Sequence, residues 1–223
     1  PSAKKPSLLY YGDMEGNGRK RLIEAKRDKQ GGLVPVRGKS CSTHCMPMLG
    51  KKFPTYRAFA ASILPEIYTE QRLSDAEQFK ATAFESGALI NDGKGNFTFQ
   101  PLPRFAQAAP GYGVVATDID GDGLVEVVAA QNMFTREPET GLWRGGIGVI
   151  LEYGADGAFR VEPAAETGFI VDGDAKGLTL CDLDGDNRPD FVLCQNNDKL
   201  LAWKNRGDSK PLFSVRLHGS PGN

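Results

Sequence analysis

Histidine and cysteine are scarce in this chain, neither sign of charge prevails, and no apolar run is long. Two His give little from which to build a nucleophile–base pair, and no Gly-x-Ser-x-Gly elbow accompanies them. Four Cys in 223 residues are too few for a disulfide-built scaffold. Lys+Arg 27 against Asp+Glu 28 leaves a net charge of -1, which excludes a global pull toward nucleic acid or an anionic membrane. No apolar stretch approaches the roughly 18 residues that a membrane-spanning helix needs. The chain begins at Pro1 with no Met and no signal peptide, so it reads as processed or trimmed, with no address written in it.

What is plentiful is glycine and proline, Gly 27 and Pro 14, which favours a fold with many turns. The length suits one large domain or two small ones. Acidic residues concentrate in two loops. "VVATDIDGDGLVEVVAAQN" carries Asp118, Asp120, Asp122 and Glu126, and "LTLCDLDGDNRPDFVLCQN" carries Asp182, Asp184, Asp186 and Asp190. In each the carboxylates stand at positions 1, 3, 5 and 9 between apolar runs of strand character. A degraded third copy, "LLYYGDMEGNGRKRLIEA", sets Asp13, Glu15 and Asn17 in register. Its position 9 is Arg21, of the wrong charge, which can neutralise the loop internally.

Side chains at 1, 3, 5 and 9 of a tight loop converge, and the carbonyl at position 7, Leu124 or Arg188, turns inward with them. Two unit charges about 4 Å apart repel by on the order of 4 kcal/mol at an effective dielectric near 20, and a divalent cation removes that cost. Hard oxygen donors without sulfur or imidazole suit Ca²⁺ better than Mg²⁺ or zinc. The helix–loop–helix calcium motif is excluded, because it needs a Glu at position 12 and helical flanks; Ala129 and Leu193 stand there. The competing reading is a solvated acidic turn without metal. It is the favoured one for the Asp13 loop.

Around the loops the chain reads as strand, acidic loop, strand, long connection, hairpin. "ALINDGKGNFTFQPLP" and "GVILEYGADGAFRVEP" are strand pairs broken by Asp-Gly turns. A unit of about 60 residues with four strands suits a propeller blade. Residues 41–88 differ. "FPTYRAFAASILPEIYTEQRL" has apolar residues at helical spacing, with Pro65 placed to kink or end it, and "SDAEQFKATAF" opens with Ser74 and Glu77 as a capping box. Two short helices inserted into a β repeat are expected.

The paired loops resemble FG-GAP/VCBS repeats, the Ca²⁺-loop blades of integrin α-subunit propellers and many secreted bacterial proteins. The tail "FSVRLHGSPGN" is similar to the opening of an UnbV/ASPIC domain. The resemblance implies an all-β chain of about three propeller-type blades over 1–212, with a helical insertion at about 41–88 and an UnbV/ASPIC-like start at 213–223. Three blades are too few for a closed ring, so part of a larger propeller is expected.

Other motifs stay structural. Cys41, His44 and Cys45 in "SCSTHC" lack a second ligand pair, His218 being far along the chain, so a local disulfide or plain loop is expected. In a hairpin centred on 186, Cys181 and Cys194 are too offset to bond. "GKGNF" and "GNGRK" lack the strand–loop–helix context of a phosphate loop. Trp143 and Trp203 read as packing residues rather than a sugar platform. The short basic patches at 16–21 and 49–53 read as solvated faces.

The function expected is a non-enzymatic, extracellular or periplasmic calcium-binding module. Ca²⁺ there orders blade loops at Asp118, Asp120, Asp122, Leu124 and Glu126 and at Asp182, Asp184, Asp186, Arg188 and Asp190, with Asp13, Glu15 and Asn17 a third set. Its partner is a protein or carbohydrate ligand. One alternative is a Ca²⁺-dependent polysaccharide-active enzyme or lectin using residues 41–88. Another is an assembly segment whose blade edges pair with another chain or with missing blades.

Overall fold

A computed structural model describes residues 1–135 and 141–207. The chain divides into two compact units, Pro1–Phe84 and Glu85 onward. Each has its own core.

In the first unit, "SLLYYG" forms strand β1 (Ser7–Gly12), with β2 (Arg21–Arg27) and β3 (Leu33–Pro35) following as an antiparallel meander. The chain then makes five short helices: α1 (Lys39–Cys45), α2 (Met48–Lys52), α3 (Tyr56–Ala60), α4 (Leu64–Tyr68) and α5 (Glu70–Ser74). It returns as β4 (Glu77–Ala81) along the other edge of β1, giving the order β3-β2-β1-β4. Alternation explains which face is covered. Leu8, Tyr10, Ile23 and Ala25 point into a core shared with Leu49, Phe59, Leu64, Ile67 and Tyr68 of the helices, while Leu22 and Phe79 remain exposed on the other face.

The expected pair of helices is therefore corrected. The first periodic stretch breaks into three helices, because Thr55 and Thr69 start new ones by accepting backbone N–H groups of Ala58 and Arg72 through their side chains. Pro65 does not end a helix. It sits in the first turn of α4, where its missing N–H costs nothing, and Glu66 accepts from the Ile63 backbone N–H at 3.0 Å. Ser74 caps nothing either: it closes α5, and Glu77 begins strand β4.

Among its described residues, the second unit is β throughout apart from two short helices. The first Asp-Gly segment is a hairpin, β5 (Gly87–Asn91) with β6 (Phe97–Pro101), followed by a 3-10 turn at Arg104–Gln107. Strands β7 (Gly111–Thr117), β8 (Glu126–Gln131), β9 (Val149–Tyr153) and β10 (Phe159–Val161) form one antiparallel sheet in simple sequential order. Helix α6 (Ala164–Thr167) leads to β11 (Ala175–Cys181), β12 (Asp190–Gln195) and β13 (Leu201–Trp203), a second meander. Both sheets are propeller-like blades.

Strand β8 shows why its sequence reads as one apolar run. Val128 and Ala130 face a core shared with Phe191 and Leu193 of the neighbouring blade, and Ala129 faces a second cluster with Val149, Leu151 and Ala106. A strand buried on both faces has no polar side to alternate with. The innermost strands abut at Gly113, where a Cβ would come within 2.6 Å of the Leu178 Cβ. No described helix is long and apolar enough to cross a membrane.

The register places Cys181 opposite Asp190 and Cys194 opposite Gly177, and all four cysteines are outside disulfides, as expected for that pair. Cys41 and Cys45 lie on α1 rather than in a bridge or a loop, because the chain turns helical there to cover the sheet. The stretch likened to UnbV/ASPIC, 213–223, lies outside the described residues.

Candidate metal centres

All three acidic loops join the first two strands of their sheets: 13–20 links β1 to β2, 118–125 links β7 to β8, and 182–189 links β11 to β12. They share one internal hydrogen-bond pattern. The position-1 carboxylate accepts backbone N–H groups from further round the turn. Asp13 takes those of Glu15, Gly16, Asn17 and Gly18. Asp118 takes Gly121 and Gly123, and Asp182 takes Gly185, Asp186 and Asn187. Position 5 accepts from position 7 each time: Asn17 from Arg19, Asp122 from Leu124, Asp186 from Arg188. The repeat seen in letters is thus a repeat in geometry. Gly121 and Gly185 adopt φ of +78° and +80°, the left-handed turn that glycine makes without strain.

The two intact loops go further. At position 9, Glu126 and Asp190 are buried, and each accepts the backbone N–H of position 2, Ile119 at 2.7 Å and Leu183 at 2.8 Å. Burial pushes the Glu126 carboxyl above its ordinary pKa; the Ile119 amide opposes this and the charges of Asp120, Asp122 and Asp118 add to it. One ligand oxygen each from Asp118, Asp120 and Asp122 lies within 4.8 Å of the others, and the same holds for Asp182, Asp184 and Asp190. Glu126 stands beside the first trio rather than in it, and Asp186 beside the second. Every donor in both trios is a carboxylate oxygen, and that chemistry fits a hard divalent cation.

The loops differ in how their charge is compensated by the protein. Around 118–126 no described lysine or arginine makes an ion pair. Around 182–190, Lys204 bonds Asp184 and holds its carboxyl below the ordinary range, and Arg188 lies 3.9 Å from Asp186. In the 13–21 loop, Arg21 forms a two-nitrogen contact to Glu15 at 3.1 and 3.0 Å. Arg72 of α5 donates to the Met14 carbonyl at 2.6 Å, and the amides of Gly18, Asn17, Gly16 and Glu15 hold Asp13 below its ordinary pKa. The third expected set differs from the others in that a guanidinium already pairs through two nitrogens with one of its carboxylates. Glu15 is turned to the Arg21 guanidinium, while Asp13 and Asn17 accept amides of their own turn.

Three neighbours of the loops were not visible as motif positions. Lys204 and Asn205 come from the end of β13, and Arg72 from α5. Asn205 is the most informative. Its backbone N–H donates to Asp190 at 2.8 Å, and its side-chain amide donates to the Ile119 carbonyl at 2.9 Å, so it ties one acidic loop to the other. No local pattern marks it, since Ile119 is 86 positions away. Beside this tie lies a cleft of ≈ 940 Å³, bounded by Asp120, Asp122 and Glu126 on one blade and Trp203, Lys204 and Asn205 on the other. Trp203 packs on Phe169 with centroids 4.9 Å apart and donates its indole N–H to the Gly168 carbonyl, as a packing residue does.

Residues 86–129 match the FG-GAP-like repeat family. The matched segment runs from the β5–β6 hairpin through β7 and the whole 118–126 loop into β8, so it contains the less compensated of the two carboxylate trios. No curated protein matches the chain.

Proposed function

We propose that the loops at 118–126 and 182–190 each hold one Ca²⁺, and that the ions order the ends of two propeller-like blades in a secreted, non-enzymatic binding module. The observation that carries this reading is the pair of all-carboxylate trios built on one loop pattern and joined through Asn205. Asp118, Asp120 and Asp122 hold the first ion, with Glu126 and the Leu124 carbonyl in reach of the same loop. Asp182, Asp184 and Asp190 hold the second, with Asp186 and the Arg188 carbonyl alongside. Bound calcium supplies positive charge that cancels carboxylate repulsion; the chain's part is to aim the oxygens and to fix the loop through its own amides.

Compartment follows from affinity. Short carboxylate loops without a cooperative partner suit the millimolar Ca²⁺ found outside cells, and FG-GAP-like repeats belong to that setting. The ordered blade ends and the cleft between them offer a surface for a protein or glycan partner.

The test is thermal unfolding with and without a chelator. An ion bound at 100 times its dissociation constant stabilises by about 2.7 kcal/mol, so two sites lower Tm by roughly 10–20 °C when stripped. Asp118→Asn combined with Asp182→Asn abolishes the calcium response while keeping one of the two acceptor oxygens that each side chain offers its loop. A melt unmoved by chelator contradicts the proposal.

A further inference from the structure

The cleft of ≈ 940 Å³ beside the acidic loops carries two chemistries that the loops themselves leave unused. Its floor is apolar. Ile150, Phe169 and Phe191, all buried in the core between the blades, line it together with half-buried Trp203. Trp203 packs on Phe169 with centroids 4.9 Å apart, so the floor is largely aromatic.

The wall away from the loops is acidic. Glu152 of β9, Glu162 just past β10 and Glu166 of α6 line it, and none belongs to a metal loop. Strand register explains why they meet. Arg160 stands opposite Glu152, and the Glu162 N–H carries the ladder one step further onto the Ile150 carbonyl at 2.9 Å. Glu152 and Glu162 are therefore diagonal neighbours on one face of the sheet, near enough to share a hydrogen bond. Burial, then the charges of Glu152 and Glu166, push the Glu162 carboxyl above its ordinary pKa.

Among the described residues, no lysine or arginine makes an ion pair with these three. Arg160 is turned to Asp156, and Lys204 on the other blade to Asp184. Arg206 also borders the cleft and is exposed. Carboxylates alone mark no ligand; their place over an aromatic floor does. That combination complements a side chain with an apolar stem and a cationic head. The same charge repels sulfated and uronate glycans. The volume lies at the upper end for small-molecule pockets and admits several side chains of a peptide.

We propose that the partner of this module is a basic protein segment, with the cleft taking a lysine side chain, its stem against Ile150 and Trp203 and its ammonium among Glu152, Glu162 and Glu166. The inference rests on the binding-module reading above for the cleft being the binding face. It does not use the loop carboxylates, whose charge calcium cancels.

The experiment titrates the full chain into a dye-labelled peptide that alternates lysine with phenylalanine and valine, and into its counterpart with glutamate for lysine. Fluorescence polarisation is read in millimolar calcium and physiological salt. The basic peptide binds and the acidic one does not. Glu162→Gln with Glu166→Gln weakens binding about two- to thirtyfold, the range of two ion pairs open to solvent. That double variant melts no lower than the native chain at pH 7, so lost binding is not lost fold. It also keeps the native calcium count by calorimetry, so failure of the peptide site and failure of the calcium loops are read separately. Equal binding of the two peptides overturns the proposal, as does an affinity unmoved by the double variant. So does the absence of basic-peptide binding at millimolar concentration, or uptake of a heparin oligosaccharide in its place.

Discussion

The loop at 13–21 and the loop at 118–126 are built on one backbone plan and solve the problem of crowded charge in opposite ways. In the first, Arg21 sits where the pattern wants a carboxylate and pairs with Glu15, whose side chain is only 11% exposed. In the second, the same position is Glu126, and no described cation is paired to the loop. The 182–190 loop lies between them, with Lys204 borrowed from the next strand onto Asp184. A turn that needs positive charge takes it from a side chain or from solution. Under the proposed function, the difference of one residue, Arg for Glu, decides which.

That contrast can be broken most forcefully by Arg21→Glu. Removing one member of a largely desolvated pair leaves Glu15 uncompensated, and the loss is about 2–3 kcal/mol in chelator. Added calcium restores the stability, and the chain takes up one more ion than before. The measurement is a urea melt in both buffers, and a loss that calcium does not relieve breaks the comparison. Next in size is Asn205→Ala, which removes the side-chain tie to Ile119 while the backbone bond to Asp190 persists. A net hydrogen bond is worth about 1 kcal/mol, and its loss appears as a lower Tm than the native chain's in calcium-containing buffer; an unchanged melt means that Asn205 does not tie the loops.

Smaller still is Lys204→Ala. Freed of its ammonium, Asp184 binds calcium about two- to fivefold more tightly at the 182–190 loop, read by calorimetry with the other loop disabled through Asp118→Asn. Unchanged affinity means that Lys204 does not compete with the ion. The smallest effect tests carboxylates outside the loops. Burial, the neighbouring charges of Glu152 and Glu166 and a hydrogen bond with Glu152 push the Glu162 carboxyl above its ordinary 4.5. A raised acid favours folding when protonated, so its contribution is full below 4.5 and disappears as pH climbs through the folded value. Glu162→Gln is therefore more stable than the native chain at pH 7 and no more stable at pH 4, by thermal melts at both.

The parts of this architecture that could be read from the letters are those governed by local rules. Asp-Gly turns between alternating residues located both hairpins, and the 1-3-5-9 spacing located the loops, because turn chemistry acts within a few positions. The separation of Cys181 from Cys194 followed from hairpin register, off by a single residue. What stayed hidden depends on distant neighbours. Apolar spacing over 53–73 suggested one bent helix, yet Thr55 and Thr69 cap separate ones. "SDAEQF" has a capping pattern but pairs as β4 beside β1, since an open sheet edge there outweighs local helix preference. Lys204 and Asn205 meet their loops only through packing of the blades.

The most direct measurement is the number of Ca²⁺ ions bound per chain by titration calorimetry of the native protein. Two ions are predicted, falling to one in Asp118→Asn or in Asp182→Asn and unchanged in Asp13→Asn. No heat of binding at millimolar calcium, or a count that drops with Asp13→Asn instead, would contradict the account.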